Sequence, residues 1–214
     1  MTPRVSKRTG FNLAQEILGE NFISPEDIRA YPWLGVGKKG FGYSKKQIAE
    51  LIQNLPSKDV LNQLKRHHYL LVPGPAFHVS LADLFWEWSI SILPSSFPSL
   101  TYNISENGEL TEQPWWIGDE KEKFLCEEKV DCSWYYIHKN THMSSQESHL
   151  WVPTLPTIIQ MIWGMVIYSA LRKNVVWGYT QTSSMTLKGE VLAVYRDDSG
   201  VIQINRSKAG ESFQ

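Results

Sequence analysis

Residues 155–173, LPTIIQMIWGMVIYSALRK, constrain the fold more than any other stretch of the chain. Leu155, Ile158, Ile159, Ile162, Val166 and Ala170 recur at helical spacing, and Met161, Trp163, Met165 and Ile167 widen that stripe around the cylinder. A helix apolar most of the way round has to be covered on several sides. Thr154 is the expected N-cap, Arg172 and Lys173 close the last turn, and Asn174 suits the position after it. Gln160, Gly164, Tyr168 and Ser169 interrupt the stretch, which falls short of the ~20 apolar residues a membrane span needs. It reads as a buried helix, and no membrane span is expected.

Strand-like text follows. Val175, Trp177 and Tyr179 alternate with smaller or polar residues, and the run from Val191 to Tyr195 is apolar on both faces. Asp197-Asp198-Ser199-Gly200 turns the chain ahead of Val201, Ile202 and Ile204. A helix followed by an antiparallel meander predicts an α+β class, with a short helical N-terminal part on a mixed or antiparallel sheet.

That helical part is written in caps. Asn12–Leu18 is a short helix closed by Gly19, and Ser24-Pro25-Glu26-Asp27 starts another that Pro32 cuts short. Ser44 and Ser57 cap two more, with Ile48, Leu51, Ile52 and Leu55, then Val60, Leu61 and Leu64, as their apolar faces. Tyr69–Val72 is a buried strand ended by Pro73-Gly74-Pro75, and Ser80 caps a helix through Trp88. Trp115–Ile117 and Ser133–His138 read as strands, and the charged stretch Asp119–Lys129 between them as a solvated face. The expected organisation is a flexible tail at 1–10, a helical part at 11–68, an α+β core at 69–206 and a tail at 207–214. Within the core, an irregular insertion runs from about residue 89 to 118, longer than structureless loops usually are.

Composition removes several function classes. In 214 residues, 21 basic and 22 acidic side chains leave a formal net charge of -1. Such a balance supplies no field for non-specific binding of nucleic acid or anionic membrane. Cys126 and Cys132 are too few for a disulfide scaffold. The N-terminus has no apolar run of signal-peptide length, so the expected location is the cytoplasm.

No catalytic constellation stands out, and no cofactor is expected. Cys126, Cys132, His138 and His142 read C-x5-C-x5-H-x3-H, a zinc inventory at the wrong spacing for the usual knuckles. On a straight strand Cys132 and His138 lie ~20 Å apart, too far for one ion. Gly35-Val36-Gly37-Lys38-Lys39-Gly40 has the G-x-G-x-x-G form but lacks the preceding strand and the βαβ unit that a dinucleotide site needs. His67 and His68 close a helix where cations are favoured, and His78 follows the Pro-Gly-Pro turn, where it could line a pocket. Of the nine tryptophans, Trp115, Trp116 and Trp151 lie near loops, where aromatics serve binding surfaces as readily as they seal a core.

Four stretches, SKRTGFNLAQEILGENFISPEDI (6–28), YLLVPGPAFHVSLADL (69–84), WWIGDEKEKFLCEEKVDCSWYYIHK (115–139) and VPTLPTIIQMIWGMVIYSALRKNVVWGYTQTSS (152–184), cover nearly half of the chain. In the same order they resemble a family of uncharacterised bacterial proteins. The first match is close to literal, the others are matches of pattern. The resemblance implies no activity. It does imply Arg-Lys where this chain has His138-Lys139, and no Cys/His set, which weighs against zinc. It also implies a Trp-, Asp- and Arg-rich tail where this chain has SKAGESFQ.

The expected function is that of a non-enzymatic binding or accessory protein, with a protein or a small molecule as partner. The alternative is an enzyme assembled from scattered residues, with His78, Cys132 and His138 as first suspects.

Overall fold

The structure, a computed structural model, describes residues 10–29, 42–84, 122–139, 155–172, 177–196 and 202–207. Residues 1–9 and 208–214 of the expected tails, the glycine run 35–40 and the expected insertion near 89–118 lie outside the described residues, whereas Gly10 and Ser207, expected in the tails, belong to a helix and a strand.

Side-chain oxygens start the helices where the sequence places them. Helix α1 (Gly10–Leu18) stops at Gly19, whose φ of 58° only glycine holds at no cost. A 3-10 turn, Gly19–Asn21, leads to α2 (Pro25–Arg29). Ser24 Oγ accepts the Asp27 N–H at 3.1 Å, and the Asp27 carboxylate accepts the Ser24 N–H at 2.9 Å. Ser44 and Gln47 make the same reciprocal box ahead of α3 (Lys45–Gln53), at 3.2 and 2.9 Å. Ser57 caps α4 (Lys58–Arg66). Ser80 and Asp83 box the start of a helix at residues 81–84.

The centre is a two-stranded antiparallel ribbon of β1 (Tyr69–Pro73) and, later in the chain, β4 (Trp134–His138), in register from Tyr69↔His138 to Pro73↔Trp134. Its side chains alternate between two cores. Tyr69, Leu71, Trp134 and Tyr136 pack with Phe11, Leu18, Phe22, Leu51, Leu61 and Leu64 of the helical layer. Leu70, Val72, Tyr135 and Ile137 turn the other way, into the main core. Phe22 adds a parallel bridge to Leu71 on the free edge of β1, and the Ile23 N–H bonds the Leu71 carbonyl at 3.0 Å. A second short pair, β2 (Val79–Ser80) with β3 (Lys129–Val130), is also antiparallel.

Between β2 and β3 in sequence lies α5 (Lys123–Cys126), a single turn inside the stretch expected to be solvated. Phe124 is fully buried and Leu125 nearly so, because two apolar residues among charges are enough to turn one side of that segment inward. Leu155–Lys173 becomes α6 (Ile158–Arg172). Thr157, not Thr154, caps it: Thr157 Oγ1 accepts the Gln160 N–H at 3.4 Å and Gln160 Oε1 accepts the Thr157 N–H at 3.0 Å. The reciprocal box needs a partner three residues on, which Gln160 supplies to Thr157. Thr154 itself lies outside the described residues.

The closing meander is a sheet of β5 (Trp177–Met185), β6 (Val191–Arg196) and β7 (Ile202–Ser207), antiparallel in that order, with irregularities along β5. The α+β expectation holds, but among the described residues the strands fall into three small sheets rather than one. Helix α6 packs against β1, β3 and β4 and also against β5 and β6, so it touches all three sheets. From Ile158 to Tyr168 every residue but Gln160 is buried, including Gly164, which is pressed on Ile137. Such residues contribute about 1.5–3 kcal/mol each when withdrawn from water. Among the described residues no helix is long and apolar enough to cross a membrane.

Glycine sets the spacing between α6 and the ribbon. A Cβ at Gly164 would stand 2.5 Å from Ile137 Cγ1. Gly164→Ala should therefore cost about 1–3 kcal/mol in urea unfolding, and trimming the obstacle with Ile137→Ala should recover part of that cost in a double-mutant cycle. Additive losses would mean that the close approach does not govern the packing.

Candidate functional site

The structure separates the residues singled out as metal ligands. Cys126 is exposed at the end of α5, and Cys132 is half-buried in the turn before β4, beside Trp134 and the helical core. His138 is the last residue of β4, at the far end from Cys132. His142 lies outside the described residues, as do Trp115, Trp116 and Trp151. Among the described residues, no three His, Cys, Asp or Glu side chains stand where they could share a metal ion. His78 is exposed, between β1 and β2. His78, Cys132 and His138 thus occupy three different places: a linker, a turn and a strand end.

The Pro73-Gly74-Pro75 turn is a junction of backbone bonds. Trp163 Nε1 donates to the Pro73 carbonyl at 3.0 Å, tying α6 to the ribbon. The Gly74 N–H bonds the Ser133 carbonyl at 2.8 Å, and its carbonyl accepts the Tyr43 hydroxyl at 2.7 Å. No side chain fits at Gly74, where a Cβ would come 1.8 Å from the Asp131 carbonyl oxygen. Burial, with smaller contributions from Cys132 and Glu26, pushes the Tyr43 phenol far above its usual range. Tyr43 is therefore a neutral donor at all ordinary pH. Cys132, beside this junction, has its thiol pushed up to about 11 by burial and by Glu50 and Asp131. A protonated thiol is a poor nucleophile and a poor metal ligand.

At the other end of the ribbon, the His138 ring packs edge-on against Tyr69 with centroids 4.9 Å apart. Lys139 Nζ bonds Asn21 Oδ1 at 2.8 Å and the Tyr168 hydroxyl at 2.6 Å, so the 3-10 turn, the ribbon and α6 meet on one ammonium.

A different surface was not legible beforehand. On β5 the usual alternation is inverted: Thr182 and Ser184, and Thr186 just beyond them, are buried, while Met185 and Leu187 are 55% and 47% exposed. The inward hydroxyls are all employed. Thr182 Oγ1 donates to the Leu192 carbonyl at 2.9 Å. Ser184 Oγ accepts the Ile158 N–H at 2.8 Å and donates to Glu128. Burial raises the Glu128 carboxyl above its ordinary value, against the opposing effect of the Ser184 bond.

The β5–β6 connection beyond Met185 is stiff. Thr186 exchanges backbone bonds with Glu190 and Gly189, at 2.9 Å each, and Gly189 holds φ 77°. Thr186 Oγ1 accepts the Lys188 and Glu190 N–H groups at 3.2 and 3.1 Å. Glu122 reaches across to accept the Leu187 N–H at 2.8 Å. The result is a braced hairpin tip that presents Met185 and Leu187 outward, with the half-buried Val191 opposite Met185. The signal in the sequence was Thr-x-Ser-x-Thr at 182–186, which fits a hydroxyl-lined inner face only if the Met and Leu between and after them point out.

Compared with protein-family models, with curated proteins and with solved structures, the chain finds no match.

The two thiols give a direct check on the local geometry. In the native protein near pH 8, a small aromatic disulfide reagent should modify Cys126 at least tenfold faster than Cys132, because Cys126 is exposed whereas Cys132 is half-buried with its thiol pushed up by that burial. Equal rates, read by mass spectrometry of the labelled peptides, would contradict the buried setting of Cys132.

Proposed function

We propose that the protein is a non-enzymatic binding or accessory protein of the bacterial cytoplasm, and that the β5–β6 tip is where it meets a protein partner. The sequence resemblance is what supports a bacterial origin, and the N-terminal text what supports the location. The observation that carries the reading is a pair of large apolar side chains, Met185 and Leu187, exposed on a turn already fixed by hydrogen bonds. Methionine adapts its shape to a partner surface, and a preformed turn loses little conformational entropy when it is covered. Exposed apolar residues are common singly; two alternating positions on a braced tip make a small contact anchor.

A photo-crosslinking residue at position 187, expressed in the source cells, should yield a discrete protein adduct that the same residue at the exposed Gln181 does not. Met185→Ser with Leu187→Ser should weaken binding of that adduct partner by roughly tenfold or more, as loss of an apolar anchor does. Identical background labelling from 187 and 181, or unchanged affinity in the double variant, would refute the proposal.

A further inference from the structure

Three histidines, remote or unremarkable in sequence, meet where α4 enters β1. The His67 N–H bonds the Gln63 carbonyl at 3.0 Å and the His68 N–H bonds the Lys65 carbonyl at 3.2 Å, so this pair forms the corner itself. His68 holds φ 57°, a conformation that a residue with a side chain keeps only when its surroundings fix it. The ribbon register then puts His138 opposite Tyr69, and the Lys139 N–H bonds the His68 carbonyl at 3.2 Å. A hydrogen bond also joins His138 to the His67 backbone.

The charges around this corner are mostly of one sign. Lys65 and Arg66 close α4, and Lys139 leaves β4. From α6, Tyr168 offers a neutral ring 4.4 Å from the Lys139 ammonium. Glu20, on the 3-10 turn, is a carboxylate at this end and lies 3.5 Å from that same ammonium.

We infer that this corner is an acid-sensitive clasp: the helical layer stays seated on the ribbon while His138, packed on Tyr69 beside His67 and His68, is neutral, and the corner opens when His138 takes up a proton. The direction follows from the local physics. Burial first, then His68 and His67, make His138 harder to protonate in the closed corner, although its bond to the His67 backbone works the other way. Its closed-state pKa is below its open-state value, so the closed corner binds fewer protons than the open one. The stability that this contributes is complete above the open-state value of 6.5 and is lost as the pH falls through the lowered one. Glu128 has the opposite sign: its pKa is raised in the folded chain, so its contribution is complete in acid and fades as the pH rises. It cannot be the source of an acid-induced opening.

Amide exchange of the full chain, read by mass spectrometry between about pH 7.5 and 5.5 and corrected for intrinsic rates, tests the clasp. Peptides spanning 64–72 and 134–139 report the corner, and a peptide within 158–172 is the internal reference. The opening constant of the corner should rise by up to about tenfold per pH unit for each proton taken up, while the reference stays level. His138→Gln and His68→Asn, the latter keeping a side chain that tolerates positive φ, should each flatten that slope. A level corner, a slope shared equally by the reference, or variants as steep as the parent would overturn the inference. If His138→Gln does not fold, His68→Asn decides by the same criterion.

Discussion

A helix without a solvent face is the constraint on which the rest of this structure depends. Nearly every residue of α6 from Ile158 to Tyr168 is buried, so one covering layer cannot be enough. The chain answers with two, the β1–β4 ribbon and the β5–β6–β7 sheet, both of which pack on the helix. Because the ribbon gives one face to α6, its other face is left apolar, and α1, α3 and α4 cover it with a second core. Distance across the stack is set where Gly164 meets Ile137, since any side chain there would push helix and ribbon apart.

Polar groups fasten the layers at points where apolar packing alone would allow sliding. Trp163 to Pro73 fixes α6 on the ribbon, Tyr43 to Gly74 fixes the helical layer on the turn, and Trp134 to the Leu51 carbonyl at 2.8 Å fixes it again nearby. Ser184 holds the first turn of α6 to β5 and to Glu128. The Trp163–Pro73 and Ile158–Ser184 bonds are buried and the others partly so; losing a buried one would leave a donor or acceptor without water, which makes its position more specific than the modest net energy of a hydrogen bond suggests. Among the described residues the hydroxyl of Ser169 is the buried side-chain group with no such partner.

Much of this was legible in the text of the chain, and the reasons for the exceptions are physical. Caps at Ser24, Ser44, Ser57 and Ser80 act within a few residues, so local reading finds them. The all-round apolar character of 155–173 announced multiple covering layers, though not which ones, because strand pairing across more than sixty residues leaves no local mark. The buried Phe124 and Leu125 were hidden by the charges around them. The metal inventory failed to assemble for the opposite reason: residue types were read together that the extended β4 holds apart, while His138 joined His67 and His68 through that same long-range pairing. The exposed tip escaped notice because inward hydroxyls, satisfied only by partners distant in sequence, invert the expected polarity of β5.

The binding proposed at the tip and the proton uptake inferred at the corner both presuppose a rigid centre, and that centre is α6. Native-state amide exchange across a denaturant series measures it most directly. If α6 is the shared wall of both main layers, its amides from about residue 162 to 171 exchange only through global unfolding, with the full free energy and denaturant slope of the whole chain. Exchange of α6 through a lower-energy opening while the β5–β6–β7 amides stay protected would contradict the account.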